Sequence, residues 1–135
     1  MKEYFNPPTL YKSPIYPQAV KVGNIIFVSG QCANLPEKET DPPGSHKPVG
    51  AGDPYLQARL CYQNLKAALE AAGASMQDVV KINTYSTHPD YRKVLIEVRK
   101  EFFEPPYPAS TGVVVTSLYD PAAMFEVEAI AIVEP

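Results

Sequence analysis

The sequence predicts an α+β domain in which two helices cover one face of a mixed sheet. Three observations lead there: two runs of apolar residues at helical spacing, five segments of strand character, and their order along the chain, ββ-α-β-α-ββ. One domain accounts for all 135 residues, 45% of them apolar, because single cores typically serve roughly 100–200 residues.

The elements follow in order. Pro7, Pro8, Pro14 and Pro17, mixed with Tyr4, Tyr11 and Tyr16, remove backbone donors and fix φ, so the first eighteen residues read as an extended, irregular arm outside the core. From Ala19, AVKV and IIFVS flank Gly23-Asn24, a hairpin turn pair. The Pro-, Gly- and charge-rich stretch from Cys32 to Gly52 is a long surface loop. Asp53-Pro54 then supplies a cap and a first-turn proline, and Leu56, Leu60, Leu65, Ala68, Leu69 and Ala72 mark a helix from Pro54 to Ala72. β-branched residues make Val79 to Ser86 a strand. Tyr91, Val94, Leu95, Val98 and Phe102 share one face of a second helix that starts near Pro89 and stops before Pro105-Pro106. Thr111 to Ser117 and Met124 to Val133 complete the strands.

Composition narrows the function. The net charge is −3 and the twelve basic residues are scattered, apart from Arg92, Lys93, Arg99 and Lys100, which argues against a nucleic-acid surface. Neither a signal segment nor an apolar run of the roughly 18 residues that span a bilayer is present, so a cytoplasmic protein with no membrane partner is expected. Cys32 and Cys61 lack a CxxC partner and read as buried, reduced thiols rather than metal ligands. No P-loop or GxSxG occurs, and no cofactor is expected.

Several residues carry chemistry. Glu126 and Glu128 lie two apart on one strand and share a face; either a solvated strand face or a carboxylate that handles a water and a proton fits the spacing. Ser29-Gly30-Gln31 ends a strand where glycine permits close backbone approach. His46 and His88 sit in unrelated loops, and His88 before Pro89 reads as the start of a helix. Pro106 to Gly112 forms a stiff approach on which Ser110 and Thr111 present hydroxyls.

Tyr16-x-Gln18, VGNIIFVSGQ (22–31), QNLKAALEAAGASMQDVVK (63–81), PAS (108–110) and EVEAIA (126–131) occur in order over nearly the whole chain. Together they resemble the Rid/YjgF family of reactive-intermediate (enamine and imine) deaminases. The resemblance implies a chorismate-mutase-like fold and a homotrimer with a central barrel. It also implies small-molecule clefts between subunits, lined by Tyr16, Ser29, Gly30, Ser110, Thr111 and Glu126. In deaminating members a glutamate at the place of Glu126 positions the attacking water, and an arginine at the place of Ser110 holds the substrate carboxylate. Two functions are therefore expected as alternatives. One is a hydrolase of an enamine, imine or related C–N bond, for example in an aminomuconate-type ring-cleavage product. The other is a binding or regulatory trimer without catalysis.

Overall fold

Gly23 takes φ 61°, a left-handed conformation that glycine adopts without a Cβ clash, and the turn it opens folds β2 (Ala19–Val22) back on β3 (Ile25–Gln31) with Val22 opposite Ile25. The computed structural model describes residues 1–42 and 45–134, so positions 43–44 of the long loop lie outside the described residues. From the hairpin the sheet grows through β6 (Phe125–Ile132) and β4 (Val79–Ser86) to β5 (Ala109–Val114). β4 and β5 run parallel; the other neighbours are antiparallel. The last strands differ from their expected limits by register: β5 begins at Ala109 because it pairs from Lys81 onward.

One expectation is overturned. The arm is not wholly irregular: Lys2–Phe5 forms β1, antiparallel to β2, and the sheet order becomes β1-β2-β3-β6-β4-β5. The prolines begin only at Pro7, so Lys2–Phe5 keeps its donors and pairs with the otherwise open edge of β2. The described order is therefore βββαβαββ instead of ββαβαββ.

Asp53 caps α1 (Pro54–Ala71) by accepting the Leu56 N–H at 3.1 Å. The buried face of α1 runs through Ala58, Cys61, Tyr62, Leu65, Ala68 and Leu69, whereas Leu56 is exposed and lies against Gly50. In place of Leu56, the first turn buries Gln57, whose amide donates to Ala122 O at 2.7 Å and accepts from Met124 N–H at 2.8 Å. That pair of bonds fixes the approach to β6.

A short 3₁₀ turn, Pro89–Tyr91, leads into α2 (Arg92–Arg99), and His88 Nδ1 accepts the Asp90 N–H at its start. α2 ends before Phe102, and Phe103 is the aromatic that becomes fully buried, edge-on to Tyr62. Both helices lie on one face of the sheet, over Ile26, Val28, Ile82, Phe125, Val127 and Ala129. The opposite face carries Phe27, Tyr85, Glu126, Glu128 and Ile130 with no second layer over it among the described residues, and β5 is exposed along its whole length. Among the described residues no helix is long and apolar enough to cross a membrane.

Candidate functional site

The register of β3 against β6 shifts between Val28 and Gln31, so Ser29 and Gly30 sit in a bulge that re-aims the strand end. The N-terminal arm holds this bulge in place. Ser29 donates through Oγ to Pro17 O at 2.7 Å and through its N–H to Gln18 O at 2.9 Å. Gln31 Nε2 donates to Gln18 Oε1 at 2.6 Å, and Gln18 Nε2 to Tyr11 O at 2.6 Å. A chain of buried amides thus ties the arm to the strand, with each donor satisfied.

Gly30 makes room for the carboxylate behind it. A Cβ added at Gly30 would fall 2.6 Å from Glu126 Oε2, inside van der Waals contact. The two glutamates of β6, equivalent by spacing, separate here. Glu128 is consumed by structure, accepting from Tyr85 Oη at 2.7 Å and Asn83 Nδ2 at 3.1 Å. Among the described residues Glu126 receives only the weak Cys32 thiol, at 3.5 Å. It lines an open cavity of about 370 Å³ together with Tyr16, Ser29 and Gly30.

The far wall of this cavity is built by residues that sequence reasoning missed: Cys32, His46 and Tyr119. His46, from the long loop, lies between Tyr11 and Tyr119, with ring centroids at 3.6 and 5.4 Å and both pairs stacked. The Glu37 carboxylate accepts the His46 backbone N–H at 3.0 Å. It stands 3.6 Å from Nδ1, too long for a hydrogen bond, so that buried nitrogen has no hydrogen-bond partner among the described residues. Tyr119 Oη donates to Asn34 Oδ1 at 2.7 Å, and Asn64 on α1 donates to Cys32 O and Asn34 O, which fixes the root of the loop. Burial, reinforced by the Glu126 charge, pushes the Cys32 thiol up; burial likewise raises Tyr16 and Tyr119. The neutral forms of these groups therefore surround a single carboxylate.

Ser110 and Thr111 do not join this group within one chain. Ser110 is opposite Ile82 and so faces the helices, where Oγ accepts from Arg99 Nη1 at 3.0 Å. Thr111 points to the other face and accepts from Lys81 Nζ at 2.7 Å. Alternation along β5 separates the neighbours, and Glu126 lies two strands away on the face opposite Ser110. Tyr16, Ser29, Gly30 and Glu126 are thus brought together and Ser110 and Thr111 are not. Among the described residues no three His, Cys, Asp or Glu side chains converge on a metal-sized point.

Comparison with known proteins bears on the same segments. Residues 10–133 match the family described as Endoribonuclease L-PSP, the Rid/YjgF family. The chain belongs to this family. A 2-iminobutanoate/2-iminopropanoate deaminase of Dermatophagoides farinae is 36% identical over 88% of this chain and 86% of its own length. The crystal structure of RidA from Psychrobacter sp. PAMC 21119 superposes with a TM-score of 0.79 at 31% identity, covering 97% of this chain and 99% of that one. Escherichia coli TdcF, solved with bound serine, gives 0.78 at 30% identity over 94% of both chains. The α+β arrangement of two helices on a six-stranded mixed sheet is thereby that of the Rid/YjgF structures, and relatives named as imine deaminases support a Rid-type deaminase role in general terms. Within that family frame, the EVEAIA segment supplies one glutamate bonded across the sheet, Glu128, and one, Glu126, that among the described residues receives only the Cys32 thiol.

Proposed function

We propose that the protein hydrolyses the C=N bond of a small imine, or of the enamine in equilibrium with it, with Glu126 as the group that delivers water. The observation that carries this reading is the seat of Glu126: a carboxylate without a strong partner among the described residues, lodged against Gly30 and lining a cavity with Tyr16, Ser29 and His46. Glu126 takes a proton as the water oxygen attacks the imine carbon, and the C=N π pair moves to nitrogen. The proton then passes to that nitrogen, which gives a carbinolamine; Glu126 takes the remaining hydroxyl proton and hands it to the nitrogen as the C–N bond breaks, and a ketone and ammonia leave. Holding water and carbon in contact supplies much of the acceleration, and no further reactant is needed.

The uncovered sheet face and the exposed β5 support assembly as a homotrimer, since another subunit can cover what the helices do not. In such a trimer Ser110 of one subunit can approach the Glu126 cavity of the next, although the two lie on opposite faces of one chain. A binding trimer without catalysis is the second reading, and that separation is the observation that favours it. A net charge of −3 gives a nucleic-acid substrate no support.

The test is ammonia release from imines generated in situ from amino acids, with Glu126→Gln as the paired variant. Loss of about 100-fold or more in kcat is expected, the scale of removing a general base. Equal rates for the two proteins, or no release above the uncatalysed rate over a panel that includes aminomuconate-type dicarboxylates, would leave only the binding trimer.

A further inference from the structure

A second cavity, also about 370 Å³, opens on the helix face between α2 and β5, and no acidic residue among those described lines it. Two guanidinium groups do: Arg92 and Arg99. They stand at i and i+7 of α2, on one side of the helix and about 10.5 Å apart along its axis. Neither has a carboxylate partner among the described residues, whereas Arg59, on α1, is matched by Glu101 at 3.0 Å.

Arg99 is also held in position. Nε donates to the Tyr62 hydroxyl at 3.4 Å and Nη1 to Ser110 Oγ at 3.0 Å. Those two bonds use part of a five-donor fork and fix its plane, leaving the remaining N–H groups for a ligand. Thr84 and Ser86 line the same cavity with hydroxyls, and Leu95 supplies an apolar wall. Two unmatched cations over a wall that is part apolar and part hydroxyl describe a receptor for an organic anion with two charged ends.

We infer that Arg99 and Arg92 form a dicarboxylate site, with Arg99 gripping one carboxylate through its fixed fork and the more exposed Arg92 closing on the other. The inference deepens the hydrolytic reading and rests on it for one point only, that the bound diacid is the imine substrate. On that reading Ser110 serves as the bracket that orients a guanidinium supplied by α2. The substrate class narrows to short imino or enamino dicarboxylates.

Calorimetric titration with adipate and with hexanoate, six-carbon acids of two charges and one, tests the site without any turnover. Adipate is expected to bind at least tenfold tighter to the unaltered protein. Arg92→Ala, at an exposed position, should bring adipate to the hexanoate level. Arg99→Ala should weaken both acids at least tenfold, and Arg99→Lys, which keeps the charge and loses the fork, at least threefold. Should loss of the Tyr62 contact unfold Arg99→Ala, the lysine variant and Arg92→Ala carry the test. Equal affinities for the two acids, or unchanged binding in Arg99→Lys and Arg92→Ala, would overturn the site. Because binding alone is read, a failure to release ammonia bears on the hydrolytic reading and not on this one.

Discussion

Gly30 has an ordinary backbone conformation, so its importance is spatial: the Glu126 carboxylate occupies the place of its missing side chain. Gly30→Ala should therefore fold normally, because only the end of a flexible side chain must move, yet turn over at least about tenfold more slowly as Glu126 is displaced, the effect of a small misplacement of a reacting group. A thermal midpoint within a few degrees of the parent, alongside the lost rate, is the expected pair of readings. At this scale the sequence was only partly legible. It placed Glu126 and Glu128 on one face but could not separate them, because Asn83 and Tyr85, which occupy Glu128, come from another strand. His46 looked isolated for the same reason: its stacking partners are residues 11 and 119. Arg99 belongs by sequence to a loose basic group, and nothing local announces that it meets Ser110 across a helix end and a proline turn.

Elements were easier to read where their signals are local. The Gly23-Asn24 turn and the Asp53-Pro54 cap each lie within a few residues of the structure they specify. Nothing local marks β1, because its ladder partner, β2, lies beyond four prolines. The first turn of α1 faces against its composition: the apolar Leu56 is outside and the polar Gln57 inside. A buried amide is tolerated there because both ends are bonded to the backbone before β6. Gln57→Leu is near in volume but strands a carbonyl at Ala122 and an N–H at Met124. A loss of about 1–3 kcal/mol per stranded group is expected in urea unfolding, and a value near zero would show that water replaces the amide.

For the whole molecule, assembly and pH dependence follow from what is covered. The proposed trimer predicts a sedimentation mass close to three times the 14.8 kDa chain, and a charged residue placed at Val113 on the open β5 should shift it toward the monomer. Burial raises both thiols, Cys32 and Cys61, so the folded chain keeps protons that the unfolded chain releases above pH about 8.5. The unfolded state then binds fewer protons than the native one, and stability falls as pH rises from that point, on the order of 1 kcal/mol per thiol per pH unit. Urea midpoints measured from pH 7 to 10 should be level at first and then decline. The chain has nine tyrosines and no tryptophan, so tyrosine emission is not drained to an indole. Two of those tyrosines, 11 and 119, are stacked on the imidazole of His46 beside the Glu126 cavity. Because His46 and Tyr119 also wall the cleft, the stack gives it a built-in optical reporter, one that should register occupancy in the unlabelled protein.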